Sequence, residues 1–189
     1  MFNRTIINDL KHWREQKDRK PLMMLGARQV GKTSVLKRFG RECFEHCVYF
    51  SLDEEAGVCD IFRTTKNPTQ IIEQLSYLTD EPILPEKTLL ILDEIQDCPE
   101  AISSMKYFCE KTPEYAIACA GSLLGLAFGH EGFSFPVGKV DHINMYPVTF
   151  SEFLEQKDSG LYRYYKSIDS IDPLPQVFFD RLSQAFTAY

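Results

Sequence analysis

The stretch that most constrains this chain is the eight-residue sequence GARQVGKT at positions 26–33, which fits the pattern G-x-x-x-x-G-K-[ST]. An apolar run, Leu22–Leu25, leads into it, and a helix-compatible segment, Ser34–Phe39, follows it. Strand, loop and helix in this order are the context in which the pattern forms a phosphate-binding loop. Gly26 and Gly31 let the backbone turn where a Cβ would clash, so successive N–H groups can face inward as an anion-binding nest. The sequence therefore predicts a site for a nucleoside triphosphate rather than an ordinary glycine turn.

Within this loop, side chains and backbone have different expected roles. Lys32 is expected to reach the β- and γ-phosphates, and the Thr33 hydroxyl is expected to bind Mg²⁺. The helix begins near these two residues, so its positive end also points at the phosphates. The residues predicted to bind the nucleotide are Gly26, Ala27, Arg28, Gln29, Val30, Gly31, Lys32, Thr33 and Ser34.

Two adjacent carboxylates follow the most apolar strand of the sequence. Thr88–Leu92 carries four consecutive large aliphatic residues, a pattern typical of a parallel strand buried on both faces, and Asp93 and Glu94 come next. Asp93 is expected to bind Mg²⁺ directly or through water, and Glu94 to orient and polarise the attacking water. The alternative is a strand that simply leaves the sheet through an acidic turn. The phosphate loop upstream favours the functional interpretation.

A further buried strand, Tyr115–Ala120, ends at Gly121 and Ser122. In a P-loop ATPase of the additional-strand type, such a strand inserts between the phosphate-loop strand and the strand that carries the acidic pair. Its end then faces the γ-phosphate, which makes Ser122 a candidate sensor of that group and a candidate catalytic residue beside Lys32 and Glu94. The alternative is a serine that only caps or turns the chain.

These segments together predict an α/β fold with a parallel sheet of about five strands. A three-layer P-loop NTPase of the additional-strand type would have these strands in the order 5-1-4-3-2. Residues 1–20 are expected to form an amphipathic helix packed on the core, residues 21–157 the ATPase core, and residues 158–189 a helical extension. The five expected strands cover residues 22–25, 47–52, 88–92, 115–120 and 139–146.

The part of the chain beyond Ser122 has weaker sequence patterns for secondary structure. Glycines recur over residues 123–138, which predicts a mobile connection that a partner or a bound state could order. Thr149 followed by Glu152 fits a capping box at the start of a helix. Asp158–Gly160 is expected to be a turn, and residues 177–189 a last helix.

Composition narrows the class of protein. The 189 residues are 44% hydrophobic and 25% charged, which is ordinary for a soluble protein with one core. The formal net charge of −6 argues against a broad nucleic-acid surface, although a local basic patch stays open. The polar start of the chain and the short apolar region 116–128 predict neither a signal peptide nor a membrane span. A cytoplasmic location without a membrane partner is expected.

Four segments in this order resemble one family, the uncharacterised prokaryotic ATPases of the AAA+ type that carry a C-terminal domain of unknown function. The segments are the phosphate loop at 26–33, Leu90–Gln96, Ala120–Ser122 and Met145–Leu154. The first two are shared by AAA+ proteins in general. Gln96 and the sequence PVTFSEF at 147–153 are narrower features of the family.

The resemblance implies roles for individual residues and shows two departures. It makes Lys32 and Thr33 the triphosphate and Mg²⁺ contacts, Asp93 the magnesium residue, Glu94 the catalytic carboxylate and Ser122 the sensor. Relatives usually have an arginine near the start of the fifth strand, where this chain has Lys139, so the resemblance implies no arginine-dependent role at this position. The family's C-terminal domain is absent, and we therefore expect a fragment that binds nucleotide and hydrolyses it weakly.

Two functions follow from these features. The first is ATP binding and Mg²⁺-dependent ATP hydrolysis coupled to a conformational change. The second is a nucleotide-dependent switch or interaction module that does not hydrolyse, because no arginine finger is evident and Arg41 and Arg63 are candidates only by elimination. A GTPase is disfavoured since the sequence lacks N-K-x-D. A protein or DNA partner and a homo-oligomer stay open. The position of residues 4–10 in the chain suggests that they contact the adenine.

Overall fold

The central sheet is formed by five short strands, of which the first four are rich in apolar residues. The structure is a computed structural model, and it describes residues 4–122 and 135–189. The expected glycine-rich connection at 123–138 therefore lies mostly outside the described residues. The strands are β1 (Leu22–Gly26), β2 (His46–Ser51), β3 (Thr88–Asp93), β4 (Ala116–Ser122) and β5 (Asp141–Asn144).

The strand order is β2-β3-β4-β1-β5, and every neighbouring pair is parallel. The predicted order is therefore confirmed, including the insertion of β4 between β1 and β3. In a parallel sheet all carboxyl ends lie at the same edge, where open α/β sheets place their ligands. Gly26 pairs with Ser122, and Ser51 pairs with Asp93, so the ends of these four strands lie near one another along that edge.

Helices cover both faces of the sheet. The helices of this part of the chain are α1 (Ile6–Glu15), α2 (Lys32–Cys43), α3 (Ala56–Thr64), α4 (Pro68–Ser76) and α5 (Pro99–Lys111). Alternate strand residues face opposite sides: Leu22 and Met24 pack in the cluster that includes α1 and α2, and Met23 packs with α3, α4 and α5. The three-layer arrangement expected from the sequence is thus confirmed. None of the helices that the structure describes is long and apolar enough to cross a membrane.

The chain forms two compact units, Ile6–Met145 and residues 4–5 with Tyr146–Tyr189. The second unit contains α6 (Phe150–Lys157), α7 (Ser159–Lys166) and α8 (Gln176–Thr187). Its apolar centre is small and consists of Leu154, Leu161 and Ala185 with aromatic residues around them. The domain division expected from the sequence stays a prediction.

Two local expectations need correction, and one helix had not been predicted. The expected turn at Asp158–Gly160 is the start of α7, because a carboxylate oxygen of Asp158 accepts the Leu161 N–H at 2.9 Å and caps the helix. The helix α3 was not expected, although Val58 and Phe62 are buried at helical spacing on it. The strand β5 is shorter than expected since it is an edge strand that pairs only with residues 22–25 of β1.

The expected capping box is confirmed at the start of α6. The Thr149 hydroxyl accepts the Glu152 N–H at 3.2 Å, and a Glu152 carboxylate oxygen accepts the Thr149 N–H at 2.9 Å. The same carboxylate accepts the Thr5 N–H at 2.8 Å and lies 3.3 Å from the Arg4 guanidinium. Burial alone would raise the pKa of Glu152, but these donors and the Arg4 charge outweigh it and lower the pKa to about 2.

Replacing Gly26 with alanine should destabilise the sheet. A Cβ at this position would lie 2.2 Å from the backbone oxygen of Met145, so β1 and the chain after β5 would have to separate. We expect urea unfolding to show a loss of about 1–3 kcal/mol. Gly57→Ala is the control, because a Cβ there meets nothing within 4 Å and lies in a helix. Equal stability of the Gly26→Ala variant and the unmodified protein would contradict the close approach.

Glu152 should make the stability of the chain depend on acid pH. Its lowered pKa, about 2 in the folded chain against 4.5 ordinarily, means that its contribution is present above pH 4.5 and disappears as the pH falls toward 2. We expect Glu152→Gln to cost about 3 kcal/mol at pH 7 and progressively less below pH 4.5. Urea unfolding between pH 7 and pH 2 measures this, with Glu155→Gln on the same helix as control. A loss in the free energy of unfolding that is the same at every pH would contradict this prediction.

Candidate nucleotide site

The phosphate loop spans the short distance between the end of β1 and the start of α2. Two residues in it have positive φ, Gln29 at 64° and Gly31 at 95°. Gly31 directly precedes the helix, and its carbonyl accepts the Val35 N–H at 3.0 Å to begin the helical hydrogen bonding. No acidic side chain lies in the first turn of α2, so nothing there offsets the positive end of the helix dipole. This backbone is suited to bind an anion.

Lys32 is buried and folds back along the loop. Its Nζ donates to the carbonyl oxygens of Gly26 at 3.0 Å and Ala27 at 2.8 Å, and only 7% of the residue is exposed. Among the residues that the structure describes, no carboxylate forms an ion pair with this ammonium. A buried cation whose acceptors are two neutral carbonyls favours an anionic group beside it.

Thr33 and Asp93 connect the phosphate loop to β3. The Thr33 hydroxyl donates to Asp93 Oδ2 at 2.5 Å, although β4 lies between β1 and β3 in the sheet. The Asp93 carboxylate also accepts the Tyr49 hydroxyl at 3.2 Å and the Glu94 N–H at 3.0 Å, and Asp93 is only 4% exposed. The first turn of α2 and the end of β3 therefore meet at one point.

The chemistry of this pair fits a magnesium ion. Mg²⁺ prefers hard oxygen ligands and commonly uses one or two carboxylates together with hydroxyl or water oxygens. Among the described residues, all donors to Asp93 are neutral, so its buried charge has no cationic side-chain partner. A buried carboxylate in that condition is costly unless a cation accompanies it. Thr33 and Asp93 are therefore the residues that would hold the ion.

Tyr49 is a site residue that the sequence reasoning missed. It lies on β2, two residues before Ser51, whose partner across the sheet is Asp93, so Tyr49 and Asp93 face the same side. Burial raises the pKa of the Tyr49 hydroxyl, and the neighbouring Asp93 charge also raises it while a hydrogen bond with Ser51 lowers it. Tyr49 thus stays a proton donor to Asp93. Only the strand order, together with the alternation of side chains along β2, could have identified it.

Glu94 and Ser122 are linked through a third side chain. Glu94 has a left-handed backbone with φ 48° and begins a single 3₁₀ turn, Ile95–Asp97. The Gln96 amide donates to Glu94 Oε2 at 2.7 Å and accepts the Ser122 N–H at 3.2 Å. Ser122 in turn lies beside Gly26 in the sheet. These contacts bring the expected catalytic carboxylate and the expected sensor to the same edge as the phosphate loop.

The other residues predicted to bind the nucleotide are mostly exposed to solvent. Ala27, Arg28, Gln29 and Ser34 are exposed and Val30 is half-buried. Arg63 on α3 pairs with Asp60 at 2.8 Å, and Arg41 lies in the last turn of α2. Lys139 pairs with Glu110 at 2.8 Å.

Comparison with known proteins gives one family and a set of similar folds. A family model described as an AAA domain matches residues 18–154. The Drosophila ORC structure bound to DNA is similar over 85% of this chain and 47% of its own, at 12% identity and a TM-score of 0.52. AMPPCP-bound DnaA from Aquifex aeolicus is similar over 94% of this chain and 53% of its own, at 14% identity and a TM-score of 0.45.

The extent of these matches defines what they show. This chain spans about half the length of the two solved structures. At 12% identity, the similarity to the ORC structure shows the fold alone. No curated protein matches the sequence. The family match, by contrast, covers most of the chain, including the phosphate loop, the acidic pair and Ser122. The chain therefore belongs to the family of AAA domains.

Proposed function

We propose that this chain binds ATP with Mg²⁺ and hydrolyses it to ADP and phosphate, and that this reaction is coupled to a conformational change. The observation that carries the proposal is the 2.5 Å hydrogen bond between Thr33 and Asp93. This bond joins a loop whose backbone is suited to bind an anion to a buried carboxylate at the end of β3. The negative phosphates of a nucleotide would lie on the loop, and its positive divalent ion would lie beside the carboxylate.

Binding would be shared between backbone and side chains. The N–H groups of the loop and of the first turn of α2 would surround the phosphates, and Lys32 would neutralise charge on the β- and γ-phosphates. Thr33 and Asp93 would hold Mg²⁺, and the ion would supply positive charge that offsets the charge of the phosphates. Lys32 and Asp93 are both buried without a charged side-chain partner among the described residues, so ligand binding would compensate both charges.

Hydrolysis needs a group that positions water in line with the leaving ADP. Glu94 is half-buried at the end of β3, directly after Asp93, and its carboxylate could accept a hydrogen bond from such a water. In the reaction a water oxygen forms a bond to the γ-phosphorus, and the bond from that phosphorus to the β-bridging oxygen breaks. The proton leaving the water passes to Glu94 and then to solvent or phosphate. Ser122, beside Gly26 at the same edge, would sense the γ-phosphate.

Full activity of this chain would also involve a partner molecule. The ORC structure contains DNA, and a DNA or protein partner for this chain stays a proposal. No described arginine contacts Thr33, Asp93 or Glu94. An arginine supplied by a second copy or by a partner would accelerate turnover, by about 10³–10⁵-fold in other nucleotide hydrolases. A homo-oligomer is therefore the arrangement we propose for full activity.

Replacing Glu94 with glutamine should separate binding from hydrolysis. The change keeps the size of the side chain but removes the base, so we expect the Kd for MgATP to stay within about threefold and kcat to fall by about 10²-fold or more. Titration calorimetry and phosphate release measure the two quantities. Glu73→Gln on α4 is the control, because Glu73 is an exposed glutamate away from the sheet edge.

The outcomes of these measurements distinguish ATP hydrolysis from a nucleotide-dependent switch that does not hydrolyse. Unchanged turnover in Glu94→Gln would refute the role of Glu94. Turnover of the unmodified chain that rises with protein concentration, or with an added partner, would support an ATPase completed by a second chain. Binding of MgATP with no turnover under any of these conditions would instead support a nucleotide-dependent switch.

A further inference from the structure

The side chain of Gln96 lies between two groups of the proposed reaction site. Its Nε2 donates to Glu94 Oε2 at 2.7 Å and to Asp97 Oδ2 at 3.1 Å. Its Oε1 accepts the backbone N–H of Ser122 at 3.2 Å. Gln96 thus joins the turn after β3 to the end of β4.

The neighbours determine which way the amide points. A carboxylate can only accept hydrogen bonds, so the Nε2 end must face Glu94 and Asp97. A backbone N–H can only donate, so the Oε1 end must face Ser122. A primary amide satisfies both sides at once, whereas a glutamate at this position would lose the donor and an aliphatic residue would lose both groups. The chemistry of the site therefore selects glutamine.

The backbone around Gln96 is shaped to admit this contact. A Cβ on Gly121 would lie 3.0 Å from Gln96 Oε1 and 2.9 Å from a methyl carbon of Ile95, so glycine gives the amide its room. Glu94 has φ 48°, an uncommon conformation for a residue with a side chain. Among the described residues, Gln96 is the donor that reaches the Glu94 carboxylate.

We propose that Gln96 is a positioning residue that holds the Glu94 carboxylate in register with the end of β4. This inference rests on the proposed function, since it concerns the carboxylate that orients the attacking water. Ser122 pairs with Gly26 in the sheet, so the chain of contacts runs from Glu94 through Gln96 and Ser122 to the first residue of the phosphate loop. A shift of the β4 end would in this way change the position of the catalytic carboxylate.

Two variants of Gln96 test the proposal in the complete chain with MgATP. Gln96→Glu keeps the shape and the acceptor for the Ser122 N–H, but it loses the donor to Glu94 and places a like charge beside it. Gln96→Ala removes both contacts. We expect both variants to lower kcat by about 10- to 100-fold, since misplacing a catalytic group by about 1 Å can cost 10²-fold. The KM for MgATP should stay within about twofold, and Gln74→Ala on α4 serves as control.

A double-mutant cycle distinguishes positioning from a general structural effect. If Gln96 acts through Glu94, adding Gln96→Ala to a Glu94→Gln protein should change single-turnover phosphate release by less than about twofold, because the two changes are coupled. The proposal would be overturned if Gln96→Ala slowed phosphate release equally in the wild-type and in the Glu94→Gln protein. It would also be overturned if Gln96→Glu kept the wild-type kcat. Unfolding curves of Gln96→Glu check that its fold is intact.

The same measurements distinguish failure of the Gln96 proposal from failure of the proposed function. Wild-type turnover in Glu94→Gln would refute the role of Glu94 and, with it, the positioning role of Gln96. A large loss in Glu94→Gln combined with normal turnover in both Gln96 variants would refute the role of Gln96 alone. Absence of turnover in the unmodified chain at every protein concentration and with every added partner would overturn both.

Discussion

The hydrogen bond between Thr33 and Asp93 is the contact on which the rest of the site depends. It exists because α2 begins directly after the phosphate loop and lies across the face of the sheet toward β3, while β4 occupies the position between the two strands. The parallel arrangement places all strand ends at one edge, so residues 60 positions apart in the chain become neighbours. If β3 ran antiparallel to β1, its carboxyl end would lie at the opposite edge of the sheet, and the loop and the carboxylate would not meet.

The site keeps two opposite charges buried at a cost to the stability of the folded chain. Lys32 is 7% exposed and Asp93 is 4% exposed, and the described partners of both are neutral oxygens, hydroxyls or an N–H group. A phosphate group beside Lys32 and a divalent ion beside Asp93 would remove both costs together. Binding energy for a nucleotide would thus come partly from relieving charges that the fold already holds, and the ligand should stabilise the protein in proportion.

The sequence alone predicted much of this arrangement, for identifiable physical reasons. The phosphate loop and the acidic strand end are local patterns, and the predicted strand order was that of the type of P-loop ATPase to which these patterns pointed. Tyr49 and the bridging role of Gln96 were not predictable in this way, because their partners lie on other strands and depend on register. The start of α7 was missed for a different reason. Ser159 and Gly160 favour a turn locally, and the Asp158 cap together with the burial of Leu161 overrides that preference.

The most direct test of the central claim is whether nucleotide binding depends on a divalent ion held by Thr33 and Asp93. Calorimetric titration of the chain with ATP, once with Mg²⁺ and once with EDTA, measures this without requiring turnover, and titrations with GTP and ADP add base choice and the value of the γ-phosphate. We expect saturable one-to-one binding of ATP that Mg²⁺ tightens by about tenfold or more, which corresponds to roughly 1.4 kcal/mol. No detectable binding, or an affinity that is the same with Mg²⁺ and with EDTA, would contradict the account.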